Sequence, residues 1–345
     1  MITIKEMANI LGISSTTVSN VIHGKTSEVS KETVNKVRKL LKKYDYVPNI
    51  NARNLATNNS KIIGVAMNIM KDKYENFIND PFISELLGAM EKSIRASGYF
   101  MMLYISDDIL EILKYVSTWN VDGLVFLGIQ ENDGKKIKQK YKKPMVFIDS
   151  YFHDEIMDFV NVGLEDTQGA YEMTKYLIEC GHKKIGFFTD NGEGLDYQRL
   201  IGYQKALKEY GIQFEEEDVI LIKPVEGKID GSLEKIYKLS EKYTAFFCMS
   251  DQYAVKIMNY MTDRGKKIPD ELSIVGFDDN IYGQMCRPAL TTVHQDITRK
   301  GEVAIEYLVA MIQGQEPEIK RVMLPVQLVI RNTVKNLKQV NSIEI

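Results

Sequence analysis

The sequence predicts a small all-α head followed by a larger α/β body of two doubly wound parallel-sheet lobes. Two patterns predict it. Residues 3–44 read as three short amphipathic helices, and from Lys61 onward short apolar runs alternate with amphipathic segments, as in βαβ units. A third observation is the division of charge. Residues 1–60 carry nine Lys or Arg against four acids, a net +5, which leaves −8 for the rest of a chain whose total is −3.

A chain of 345 residues is too long for one small core and suits two or three domains. Its 44% hydrophobic and 26% charged residues are those of a soluble globular protein. No apolar run approaches the roughly 18–20 residues that a membrane span needs, so no membrane partner is expected. The N-terminus, Met1-Ile2-Thr3-Ile4-Lys5-Glu6, lacks the basic region and apolar core of a secretory signal, and a cytoplasmic location is expected. Cys180, Cys248 and Cys286 have no paired spacing, so they read as buried free thiols.

In the head, Thr3 and Glu6 have capping-box spacing and open a helix that carries Ile4, Met7, Ala8 and Leu11 on one face. Gly12 ends it. Ser14 can cap a second helix, with Val18, Val21 and Ile22 at helical spacing on one side and Ser15, Thr16, Ser19 and Asn20 on the other. The uncharged polar face could lie in a DNA groove or belong to a solvated helical hairpin. A basic head on an acidic body favours a polyanionic partner, although a solvated lysine-rich helix gives the same count. A third helix from Ser30 to about Tyr44 aligns Val34, Val37, Leu40, Leu41 and Tyr44, which closes a small core.

The segment 49–56 has helix length, lies between Pro48 and the polar Thr57-Asn58-Asn59-Ser60, and would expose Leu55 unless a partner helix or a ligand covers it. It reads either as a helix awaiting a partner or as a plain linker. The expected domains are therefore 1–47, a joining segment 48–60, and 61–345.

The words Thr3-Ile4-Lys5-Glu6, Gly12-Ile13-Ser14, Thr17-Val18-Ser19, Val29-Ser30, Tyr46-Val47-Pro48-Asn49, Ala52-Arg53 and Leu55 together resemble the LacI/GalR family of bacterial repressors. The resemblance implies a helix-turn-helix domain in which Ser15, Thr16 and Asn20 face base edges in the major groove of double-stranded operator DNA, while Thr17 and Ser19 contact phosphates. It also implies that 48–60 forms a hinge helix, with Ala52, Leu55 and Ala56 in the minor groove beside a symmetry mate and Leu55 as the apolar wedge. A homodimer follows from that pairing. One departure has consequences. Family members often carry arginine on the recognition helix, and this chain has Asn20, which suits adenine where arginine suits guanine.

In the body the expected strands are Ile62–Met67, Phe100–Ile105, Gly123–Leu127 and Met145–Ile148, then Lys184–Phe188, Val219–Ile222, Ala245–Met249 and Ser273–Phe277. Helices are expected over Pro81–Ser97, Thr167–Cys180, Tyr197–Tyr210 and Asp251–Arg264. Doubly wound lobes bind ligands beyond the carboxyl ends of their strands. Those places hold Asp149, Asp190, Asn191, Ser250, Asp251, Asp278 and Asp279, and Arg199 opens a helix nearby. Carboxylates with an arginine and an amide suit the paired hydrogen bonds of a sugar's hydroxyls, although an Asp or Ser at such a place often only caps the next helix.

Gly181-His182-Lys183-Lys184-Ile185, Arg199-Leu200-Ile201-Gly202-Tyr203, Val275-Gly276-Phe277-Asp278-Asp279, Pro288-Ala289-Leu290-Thr291-Thr292 and Leu328-Val329-Ile330-Arg331-Asn332 extend the family resemblance over the body. It implies the fold of periplasmic sugar-binding proteins, with a small-molecule effector, a sugar or sugar derivative, held between the lobes. Arg199 and Asp278 would be its principal contacts, Ser250 and Asn191 would lie on the same lobe, Asp149 on the facing lobe, and Phe82 would be an apolar floor or a plain core residue. The segment Met70–Asn79 and the loop Glu193–Asp196 match the family poorly.

No HExxH or zinc spacing, nucleophile elbow, phosphate-binding loop or dinucleotide fingerprint occurs, so neither a metal, a cofactor nor an enzyme is expected. The expected function is a ligand-controlled repressor. The alternative is a cytoplasmic sugar receptor whose basic head docks a protein partner.

Overall fold

The computed structural model describes residues 2–46, 59–68, 76–152, 159–222 and 230–338. The chain divides into two compact units, Met1–Ser60 and Lys61–Ile345.

The first unit contains α1 (Ile4–Leu11), α2 (Ser15–Ile22) and α3 (Lys31–Lys43). The capping box forms: Thr3 Oγ1 accepts from the Glu6 amide at 3.2 Å and the Glu6 carboxylate accepts from the Thr3 amide at 2.7 Å. Gly12 ends α1 at φ 63°, a left-handed turn that costs other residues roughly 1–2 kcal/mol. Met7, Ala8, Val18, Val21, Val34 and Val37 form the buried core, with Ile4, Leu11, Ile22, Leu40 and Leu41 packed against it. Tyr44 departs from the expected stripe. It caps the end of α3 and is exposed, because the helix stops one residue before it. The expected helix over 49–56 lies outside the described residues.

The second unit opens with β1 (Ile62–Asn68), α4 (Pro81–Ala96), β2 (Phe100–Ser106), α5 (Ile109–Thr118), β3 (Gly123–Leu127), α6 (Glu131–Lys140), β4 (Met145–Ile148) and β5 (Val160–Leu164). It continues with α7 (Asp166–Glu179), β6 (Ile185–Thr189), α8 (Gly194–Glu209), β7 (Val219–Leu221), α9 (Asp230–Leu239), β8 (Ala245–Cys248), α10 (Asp251–Asp263), β9 (Ser273–Val275) and α11 (Ile281–Met285). The last elements are β10 (Thr292–Gln295), α12 (Ile297–Ile312), β11 (Arg321–Leu324) and β12 (Val326–Val329).

Two parallel sheets result. The first has the order β11-β5-β4-β3-β1-β2 and the second β7-β6-β8-β9, while β10 and β12 form an antiparallel ribbon. Strands such as β3, β4, β6 and β8 are buried along their whole length, as expected where helices cover both faces. Both lobes were legible as strand series, but the chain is not split into two consecutive halves. After β10 it returns to the first lobe, where α12 joins the core of Ile63, Val65, Leu86 and Met90 through Ile297, Val303, Ala304 and Leu308. Strand β11 then completes the first sheet against β5, and Val326 and Leu328 of β12 pack back on the second-lobe core. Among the described residues the chain therefore crosses between lobes after β5, after β10 and after β11.

Helices α7 and α8 lie unusually close. A Cβ at Gly202 would stand 2.1 Å from the Thr167 carbonyl oxygen, so glycine is required there. This approach sets Arg199, one turn earlier on α8, against Asp166 at the start of α7. Cys180 and Cys248 are buried free thiols, whereas Cys286 is only half-buried. His182 is buried, with its ring nitrogens near Thr244 Oγ1 at 3.0 Å and the Lys335 carbonyl at 3.1 Å. Burial lowers its pKa, which fits a structural, neutral imidazole.

Candidate nucleic-acid interface and ligand cleft

Helix α2 is built as a two-sided element. Ser14 caps it, its Oγ accepting from the Thr17 amide at 3.0 Å and lying 2.8 Å from Thr17 Oγ1. Val18 and Val21 point into the head's core, Ser15 and Thr16 are exposed, and Thr17, Ser19 and Asn20 are half-buried. The exposed start of α2 thus presents hydroxyls and free backbone N–H groups with no acidic residue in its first turn. The side chains of Ala52, Leu55 and Ala56 lie outside the described residues.

The body brings four of the six expected ligand residues into one polar cluster where the chain crosses between lobes. Arg199 is 4% exposed. Its Nε donates to Asp166 Oδ1 at 2.8 Å, its Nη1 donates to the Met249 carbonyl, and its guanidinium stacks 3.6 Å from the centre of the Phe277 ring. Burial alone would lower its pKa, but Asp166, Asp278 and Asp196 outweigh that and raise it. Asp166 also accepts from the Tyr151 hydroxyl.

Asp278 follows β9 at φ 123°, a strained backbone for a residue with a side chain, and its Oδ1 accepts from Gln295 Nε2 at 2.6 Å. Asp149 follows β4, also at positive φ, and pairs with Lys300 Nζ at 2.8 and 3.0 Å. The same ammonium donates to Gln295 Oε1 at 3.0 Å and lies 5.1 Å from the centre of the Phe82 ring. Phe82 is half-buried and packs on the first-lobe core, as the plain core reading expects.

Arg199 and Asp278, the two expected principal contacts, are each engaged by another residue. The arginine's ion-pair partner is Asp166, and the hydrogen-bond partner of Asp278 is Gln295, while Arg199 acts on Asp278 through its field. Asp149 is likewise engaged by Lys300. Ser250 and Asn191 lie at neighbouring strand ends in local roles: Ser250 caps α10 by accepting from the Tyr253 amide, and Asn191 bonds Asp190 and the Glu193 amide. Tyr253 ties these ends together by donating to Asp190 at 3.0 Å.

Burial pushes the Asp278 carboxyl up to about 7, against the opposing pull of Arg199. Burial also raises Asp149, against Lys300. A carboxyl whose folded pKa exceeds its unfolded value of about 3.9 holds more protons when folded, so its contribution to stability is lost as pH rises. The unfolding free energy of the native protein relative to that of Asp278→Asn is therefore expected to fall between about pH 4 and pH 7. Denaturant titrations of both proteins across that range check this; a difference that rises with pH would refute it.

Sequence reasoning missed Asp166, Gln295, Lys300 and Tyr151. Lys300 carried a signal. It sits three residues after Ile297 and four before Ala304, on the apolar stripe of α12, where a charge without a partner has no place. Among the described residues no group of three or more His, Cys, Asp or Glu is placed to hold a metal ion, and no helix is long and apolar enough to cross a membrane.

A helix-turn-helix unit and a two-lobed, periplasmic-binding-protein-like body define a class of DNA-binding regulators, and comparison with known proteins agrees. Residues 3–49 match the lacI family of bacterial regulatory proteins, and residues 174–334 match the periplasmic binding protein-like domain. The HTH-type transcriptional repressor PurR of Vibrio atlanticus (strain LGP32) is 30% identical, over 98% of this chain and 100% of the relative. The lac repressor dimer bound to operator and the anti-inducer ONPF superposes with a TM-score of 0.82 at 23% identity, covering 97% of this chain and 99% of that one. A complex of the transcriptional regulator CelR with cellobiose gives a TM-score of 0.72 at 21% identity, covering 96% and 100%. The chain belongs to the lacI family of bacterial regulatory proteins. It is a DNA-binding transcriptional repressor and not an enzyme.

Proposed function

We propose that this repressor is a cytoplasmic homodimer whose affinity for operator DNA is controlled by a sugar or sugar derivative bound between the lobes. The observation that carries the reading is the cluster of Arg199, Asp278, Asp149 and Phe82 at the lobe crossovers, where carboxylates and a guanidinium are held in fixed positions and the half-buried Phe82 ring lies beside Lys300. Such groups hold vicinal hydroxyls by paired hydrogen bonds while the ring covers a sugar's apolar face. The cellobiose bound to CelR supports the same ligand class. Ser250 and Asn191 would complete the second-lobe side. A ligand that favours one angle between the lobes changes operator affinity by thermodynamic linkage.

In the same reading, residues 1–47 are the DNA-binding domain, 48–60 the hinge and 61–345 the effector and dimerisation domain. Ser15, Thr16 and Asn20 read bases, Thr17 and Ser19 contact phosphates, and Ala52, Leu55 and Ala56 occupy the minor groove. Asn20→Ala is expected to weaken operator binding by about 1–3 kcal/mol while leaving the salt dependence unchanged, because an uncharged side chain displaces no counterion. Anisotropy titrations at several salt concentrations test this. An equal loss of affinity for non-specific duplex would assign Asn20 to the backbone.

The direct test of the ligand class is a thermal-shift screen of the full chain against a panel of sugars. A true effector at 100 times its dissociation constant stabilises by about 2.7 kcal/mol. Absence of any shift across mono- and disaccharides would overturn the sugar assignment.

A further inference from the structure

Lys300, in the crossover cluster, breaks the pattern of its own helix. It is fully buried, at the fourth position of α12, where the helix dipole disfavours a cation. All three of its N–H bonds are used: two on the Asp149 carboxylate and one on Gln295 Oε1. The Gln295 amide is held in one orientation by its neighbours. An ammonium can only donate, so the amide oxygen faces Lys300, and the amide nitrogen faces the Asp278 carboxylate.

The bonds Asp149–Lys300–Gln295–Asp278 run from the end of β4 in the first lobe to the end of β9 in the second. Stability gives little reason to keep such a chain, since a buried ion pair is often matched or bettered by apolar residues of similar volume. A structural switch is the better-attested use of buried ions.

We propose that Lys300 and Gln295 are positioning residues that tie the two lobes together, and that a ligand hydroxyl donating to Asp278 loosens the tie by competing with the Gln295 amide. The trigger rests on the reading of Asp278 as an effector contact; the tie itself requires no ligand. Asp149 then acts mainly by anchoring Lys300, and Asp278 is where ligand and tie meet. The competition is local, because Gln295 Nε2 and the incoming hydroxyl would donate to the same carboxylate.

The test uses the full chain without ligand or DNA, labelled at the exposed Lys140 on α6 and Lys208 on α8 for interlobe distance measurement. Gln295→Leu cuts the tie at the Asp278 end and leaves the Asp149–Lys300 pair intact. The double variant Asp149→Leu with Lys300→Met removes the pair without leaving either charge buried alone, which keeps the protein foldable. With the thermal midpoint monitored in parallel, each variant is expected to shift the interlobe distance by about 2 Å or more, or to broaden its distribution, the scale of a domain rearrangement. Distributions that coincide with that of the unaltered protein in both variants would overturn the tie. Because no sugar is present, that result would leave the sugar reading standing, and a failed sugar screen would leave the tie standing.

Discussion

Arg199→Ala is expected to lower the unfolding free energy by about 3–5 kcal/mol, the loss typical of removing one partner from a buried ion pair. Asp166 would keep only the Tyr151 hydroxyl, with its carboxylate 1% exposed. The stack on Phe277 and the bond to the Met249 carbonyl would also be lost, loosening the strand ends that carry Asp278 and Ser250. Denaturant unfolding gives the loss directly. A value below about 1 kcal/mol would mean that the pair behaves like an exposed one. The paired substitution Arg199→Met with Asp166→Leu separates structure from binding: it is expected to recover most of the stability and none of the response to ligand.

Val18→Asp is expected to abolish specific operator binding, a loss of at least about a thousandfold, the smallest usual gap between specific and non-specific affinity. Val18 is fully buried among the six core residues of the head. A core this small stabilises by little more than it must. A carboxylate placed inside it without a partner costs several kcal/mol, so the head unfolds while the body keeps its own cooperative transition. Calorimetry and operator titration of the same preparation check both halves. Retained operator affinity would show that α2 does not depend on this core.

The head was legible because its signals are local. Thr3, Gly12, Ser14 and Ser30 act within three or four residues, and each caps or ends the helix its position indicates. The strands β3 and β4 were readable for a similar reason, as short apolar runs between polar breaks. The places of helix α12 and strand β11 were not, since they depend on the chain returning to the first lobe, and local spacing does not say where the chain returns.

The cleft divides in the same way. Asp278 and Asp149 stand where strand ends predict polar groups, and Arg199 lies in the second turn of α8, the helix after β6. Their partners are distant in sequence: Lys300 is 151 residues from Asp149, and Asp166 is 33 from Arg199. Pairings at that distance are set by packing, here by the close approach of α7 and α8 at Gly202 and by α12 lying on the first sheet. Only the lysine on an apolar stripe announced that something was unusual.

Occupancy of the crossover cluster is expected to control operator affinity. This is tested most directly by titrating the full chain onto a duplex operator obtained by selection, at fixed salt, with and without a saturating concentration of the sugar that gives the largest thermal shift. The dissociation constant is expected to change by about 5- to 150-fold, the usual range of allosteric coupling, and Asp278→Asn is expected to remove most of the change. An operator affinity unaltered by a sugar that demonstrably binds would contradict it.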